Sequence, residues 1–71
     1  MDFFTKVDGV CEKCEVIQVA WEEKEAKVRI EDSDEKRTTS LYNMAMQTSL
    51  HNKVPFEEVV EYLHDIMGES P

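Results

Sequence analysis

Glycine and proline are scarce in this chain, two of each in 71 residues. So few glycines exclude a phosphate-cradling loop, and no G-x-x-x-x-G-K-[ST] run exists. No Pro-, Gly- or Ser-rich stretch divides the chain, and there is neither an internal repeat nor a low-complexity tract. Histidine and cysteine also occur only twice each. His51 and His64 stand too far apart for the H-x3–5-H half of a common zinc site. Ser40 and Ser49 lack the Gly-flanked setting of a hydrolase nucleophile. Nothing approaches the ~20 apolar residues of a membrane span. Met1-Asp2 leads into Phe3-Phe4 without a basic stretch, so a signal peptide is not expected. The reading predicts a cytoplasmic protein, whose cysteines are kept reduced.

Positive charge is the other shortage. Eight Lys and Arg face sixteen Asp and Glu, a net charge of −8 with a pI near 4.6. A phosphate backbone needs clustered Lys and Arg, and an anionic membrane surface does too. Direct nucleic-acid binding and membrane binding are therefore not expected. An acidic field attracts basic partners instead. Paired carboxylates abound, but catalytic pairs need a shielded cleft that shifts one pKa. These lie in solvated runs, so the chain predicts no enzyme, no catalytic residue and no cofactor.

What remains is patterned hydrophobicity in one small acidic domain, residues 1–71. A chain this short buries only about 60% of its unfolded surface, which makes its core marginal. Residues 3–7, FFTKV, form a candidate strand before the turn signal Asp8-Gly9. In residues 15–21, EVIQVAW, period two places Ile17, Val19 and Trp21 on one face and Val16, Gln18 and Ala20 on the other. After EEKE, Ala26, Val28 and Ile30 alternate with Lys27 and Arg29, as in a half-buried antiparallel strand. DSDEKR reads as a polar connection. Thr39 or Ser40 is placed to cap a helix through about residue 50, with Leu41, Met44, Ala45 and Thr48 on its buried face. Tyr42, Met46 and Leu50 lie outside that stripe. His51 falls near the helix end, where an inter-helix loop would leave it solvated.

Pro55 opens the last helix. Phe56, Val59, Val60, Leu63, Ile66 and Met67 share its apolar face, His64 lies at the border of its polar side, and Gly68 stops it. Glu57, Glu61 and Asp65 are spaced by four, and each like-charge pair costs about 0.2–0.5 kcal/mol. The predicted fold is α+β: a two- or three-stranded antiparallel sheet followed by two α-helices packed on it. Open sheet edges and the wide apolar surface of the first helix favour a homodimer.

CEKC, residues 11–14, is the one motif-like spacing. It fits half a metal site through Cys11 and Cys14, a redox pair, or two small side chains in a tight turn. Glu12 and Glu15 flank the pair and favour the neutral thiol, against redox use.

The acidic runs on either side of residues 26–30 carry the functional expectation. Glu22, Glu23 and Glu25 stand at one end of the strand, with Glu31, Asp32, Asp34 and Glu35 at the other, roughly 20 Å away. Glu57, Glu58, Glu61 and Asp65 add a helical row. Carboxylates held on a folded surface imitate the phosphates along a duplex, which carries one charge per ~1.7 Å of axis. The predicted function is an acidic DNA mimic that inhibits a basic DNA-binding protein by protein–protein interaction.

EEKE, EDSDE and EEVVEYLHD spread over a short α+β chain resemble the small host-takeover proteins of bacteriophages. Among them the chain is similar in size and charge to the Bacillus-phage DNA mimics that inhibit the histone-like nucleoid protein HU. That resemblance implies an HU-like partner in the host cytoplasm and displacement of DNA from its basic surface. A second resemblance rests on SLYNMAMQTSLHNKVPFEEVVEYLHDIMG, preceded by two strands. This part looks like the small accessory domain of cobalamin-dependent ribonucleotide reductases, named for a Thr-Ser-Cys-Pro-Asp motif. The naming motif is missing here, and the turn reads Lys53-Val54-Pro55 without the usual glycine. It implies an accessory or regulatory interaction module.

Overall fold

A computed structural model describes residues 1–68; the last three positions of the predicted 1–71 domain lie outside the described residues. Four strands come first: β1 (Phe3–Val7), β2 (Val10–Ala20), β3 (Glu25–Ile30) and β4 (Lys36–Ser40). Two helices follow, α1 (Leu41–Asn52) and α2 (Phe56–Ile66). The strands form one antiparallel meander in sequence order. The α+β class and the two trailing helices are as the sequence predicts, with one strand more.

That extra strand corrects the reading of DSDEKR as connection throughout. Lys36 and Arg37 pair with Arg29 and Val28, and the strand continues to Ser40. Its side chains are polar, so hydrophobic alternation gives no sign of it. At the first turn Asp8 (φ 52) and Gly9 (φ 80) both adopt left-handed backbone, as a two-residue hairpin loop with the right twist requires.

β2 begins at Val10, so CEKC lies inside a strand and not in a tight turn. A bulge between Val16 and Gln18 inserts Ile17 into the ladder. Parity therefore switches: Cys14 and Val16 face the core before the bulge, Val19 and Trp21 after it. Ile17, predicted to share a face with Val19 and Trp21, is 39% exposed instead.

Phe3, Cys14, Ala26, Val28 and Ile30 from the sheet meet Met44, Ala45, Val59 and Leu63 from the helices in one core. The sheet curls enough that hydroxyls of its two outermost strands, Thr5 and Thr39, lie 2.8 Å apart. α1 then covers the outer edge of β1 with side chains. Thr48 Oγ1 accepts from Phe4 N–H at 3.0 Å and donates to Phe4 C=O at 3.3 Å. The Asn43 carboxamide does the same for Lys6, at 3.3 and 3.1 Å, and also donates to Thr39 Oγ1 at 2.9 Å. An edge predicted to be open thus has its hydrogen bonds at Phe4 and Lys6 filled by the chain itself.

Ser40 caps α1, its Oγ accepting from Asn43 N–H at 2.9 Å. Lys53, in left-handed backbone (φ 57), closes it. α2 ends at Ile66, capped by Met67. Gly68 serves there by lack of bulk: a Cβ would lie 2.7 Å from the His64 carbonyl oxygen.

Candidate interaction surface

The predicted contact residues fall where backbone turns and one helix face place them. In the β2–β3 turn, Lys24 (φ 57) donates its N–H to Trp21 C=O at 3.3 Å. Its own C=O accepts from Leu41 N–H at 2.8 Å, which ties the turn to the start of α1. Glu22, Glu23 and Glu25 project from this turn, all exposed. At the other end of β3, Asp34 (φ 61) donates its N–H to Ile30 C=O at 2.7 Å, and Ile30 N–H donates to Glu35 C=O at 2.8 Å. This second turn exposes Glu31, Asp32, Asp34 and Glu35. Glu57, Glu58, Glu61 and Asp65 are exposed on α2, with Glu57 and Glu58 in its first turn.

The two turns differ in how their charge is compensated. Arg29 bridges Glu15 and Asp34, and Arg37 holds Glu35 at 2.9 Å. Hydrogen bonds donated to Glu15, then to Asp34, push the Arg29 guanidinium pKa up, and the bond to Glu35 does the same for Arg37. Among the described residues, no Lys, Arg or His nitrogen lies within 4.0 Å of Glu22, Glu23, Glu25, Glu31, Asp32, Glu57, Glu58, Glu61 or Asp65.

The cations stand elsewhere. Strand alternation places Lys6, Lys13, Lys27, Arg29 and Lys36 on the outer face of the sheet, opposite the core. Five of the eight Lys and Arg thus share one surface, where the strands contribute only Glu15 and Glu25 as acids. The segregation follows from β3 itself: its core positions are Ala26, Val28 and Ile30, which leaves Lys27 and Arg29 to point outward.

α2 lies on the opposite side, and its C-terminal half approaches both acidic turns. Its C-terminal Ile66 shares a cleft with Glu31. Val60 and His64 share a groove with Trp21 and Lys24. That groove is about 490 Å³ and is walled by Trp21, Leu41, Tyr42, Phe56, Val60 and His64. The Trp21 and His64 rings stack at 3.9 Å and 7°, while Tyr42 tilts against Phe56 at 5.7 Å. Trp21 Nε1–H donates to Met67 C=O at 3.2 Å. His64 is an exposed surface residue as expected, with one ring face held against Trp21. Along α2, Glu57, Glu61 and Asp65 each follow a groove residue by one position, so the acidic row runs beside the apolar one. The spare apolar width of α1, with Tyr42 outside its main stripe, was the only sequence sign of this groove.

The cysteines do not act as a pair. Cys14 is buried in the core, and burial, reinforced by Glu31 and Cys11, pushes its thiol up to about 12. Cys11 faces outward opposite Lys6. Two ligands on opposite faces of one strand do not present a joint half-site, so the half-metal-site alternative for Cys11 and Cys14 finds no support in this geometry. Among the described residues, no three His, Cys, Asp or Glu side chains converge to hold a metal ion. No helix of the described residues is long and apolar enough to cross a membrane. A scan against protein-family models gives no match for this chain, and searches of curated proteins and of solved structures give none either.

Proposed function

We propose that this protein is a non-enzymatic acidic inhibitor that occupies the DNA-binding surface of a basic protein and displaces DNA from it. The observation that carries this reading is the sorting of charge. Carboxylates without an ion-pair partner lie on α2 and in both turns its C-terminal half approaches, while most cations sit on the outer sheet face. A surface meant only for solubility mixes both signs. Here one side would attract a cationic groove and the other would be turned away from it. The longest dimension, 33 Å, is about one turn of B-DNA, which suits a single basic cleft. Following the resemblance by size and charge, the partner is an HU-like nucleoid protein in a bacterial cytoplasm. A homodimer would extend the anionic array.

The test is competition. Labelled duplex DNA bound to purified HU should be released on titration with this protein, and salt should weaken the effect steeply. A variant with Glu57, Glu61 and Asp65 changed to Gln, Gln and Asn should fold but release far less DNA. Wild-type protein that leaves the HU–DNA complex intact at low salt refutes the proposal.

One observation favours a second reading, that of an accessory interaction module. The order of hairpin, helix, Pro55 turn and Glu57-Glu58-Val59 helix agrees with what the reductase-domain resemblance implies. The aromatic groove would then be the binding surface, and its affinity for a partner would change little with salt.

A further inference from the structure

Away from the acidic surface, four side chains of β1, β2 and α1 converge on the outer sheet face. Cys11 is partly exposed there, and its Sγ lies 3.0 Å from His51 Nε2. The imidazole belongs to the last turn of α1 and not to the inter-helix loop, and it is exposed as the sequence suggests. Its ring is stacked on Phe4 with centroids 4.3 Å apart at 19°. Phe4 is fixed in turn, because its backbone N–H and C=O are both held by Thr48, three residues before His51 on the same helix. Lys6 is the direct cross-strand partner of Cys11.

We propose that Cys11 is a reactive thiol, with His51 as its general base, and that it forms a mixed disulfide with small disulfides such as glutathione disulfide, which Cys14 does not resolve. Burial raises the Cys11 pKa, with Lys6 opposing and Glu12 adding to the rise, so the resting thiol is protonated. What the site offers is a place for that proton. With Nδ1 carrying the ring hydrogen, Nε2 is an acceptor at hydrogen-bond distance. As Sγ attacks one sulfur of the disulfide, its proton passes to Nε2. A new S–S bond forms, the old one breaks, and the leaving thiolate takes the proton back from the imidazolium. Cys11 is oxidised to the mixed disulfide, and half of the small disulfide is reduced to a thiol. Lys6 places positive charge beside the sulfur while it is anionic.

The second cysteine cannot resolve the product. Three strand steps separate Cys11 from Cys14 by about 10 Å, beyond the ~7 Å that a disulfide spans. Their side chains also leave opposite faces. The C-x-x-C spacing, which in a turn would make a redox pair, here isolates one thiol from the other.

Reaction of the full chain with neutral 4,4′-dithiodipyridine tests this. One thiol per chain should react fast; Cys11→Ser should remove that phase and Cys14→Ser should keep it. His51→Phe retains a ring to stack on Phe4 but has no nitrogen, and His51→Gln replaces the ring. Both should slow the fast phase about tenfold or more, with circular dichroism and melting checked for each. Glutathione disulfide should give one adduct per chain, mapped to Cys11 by peptide mass. An unchanged Cys11 rate in the folded His51 variants, or a Cys11–Cys14 bridge as the main product, overturns the proposal. Neither outcome depends on the acidic surface or its partner.

Discussion

Replacing Thr48 by Val tests how α1 closes the sheet. The two side chains have nearly the same volume, so the change leaves no cavity and removes only the hydroxyl. Thr48 is fully buried, and that hydroxyl is the group seen to hold both the N–H and the C=O of Phe4. With Val in its place, both backbone groups stay in the β1–α1 interface without a partner. A buried polar group left unsatisfied costs about 1–3 kcal/mol. The Phe4 C=O contact is the longer of the two, so the expected loss is about 2–4 kcal/mol in total. A chain of this size has roughly 4–10 kcal/mol of stability altogether, so the substitution should remove a large part of it. With a urea slope near 1 kcal/mol per molar, the midpoint should fall by about 2–4 M. The titration is read through the fluorescence of Trp21, the single tryptophan. Thr48→Ser is the control: it keeps the hydroxyl, deletes one methyl and should cost only about 1 kcal/mol. Amide exchange at Phe4 should accelerate in the Val variant alone. A Val variant within about 0.5 kcal/mol of wild type, with Phe4 exchange unchanged, would mean that α1 does not act as the missing edge partner.

Cys14 supplies a pH-dependent expectation. Its folded pKa of about 12 lies above the ordinary 9.0, so its contribution is complete below pH 9 and is lost as pH rises from about 9 through 12. Cys14→Ala should flatten that part of the alkaline stability profile while lowering stability at neutral pH; parallel curves for the two proteins would sink the assignment. Glu61 has Glu57 and Asp65 one turn to either side, so Glu61→Lys converts two repulsions into two attractions. It should raise stability by about 0.8–2 kcal/mol at low salt, yet weaken the proposed displacement of DNA from HU, and a loss of stability would argue against the row as drawn.

The sequence reveals most where apolar residues repeat at one period without interruption. α2 shows Val59 and Leu63 at the centre of its stripe, and both are fully buried. β3 is equally plain from Ala26, Val28 and Ile30. β4 escapes because Lys36, Arg37, Thr38, Thr39 and Ser40 carry no hydrophobic signal; backbone pairing to β3 alone makes them a strand. The face assignment in β2 fails for a different reason, since a single inserted residue reverses parity and only the partner strand's register exposes it. The acidic residues could be placed at the ends of β3 from sequence. Which of them are neutralised could not, because Arg29 reaches Glu15 across the β2–β3 ladder. The Cys11–His51 contact joins residues forty positions apart, and no local pattern foretells it.

The outward march of lysines and arginine across the sheet gives the molecule an electric dipole that outlasts its net charge. Near pH 4.6, where net charge vanishes, the cationic sheet still opposes the remaining ionised carboxylates around α2. Copies brought together there meet plus to minus and have no long-range repulsion to keep them apart. Precipitation should therefore be sharpest close to that pH, and added salt should redissolve the protein by screening the attraction between unlike faces.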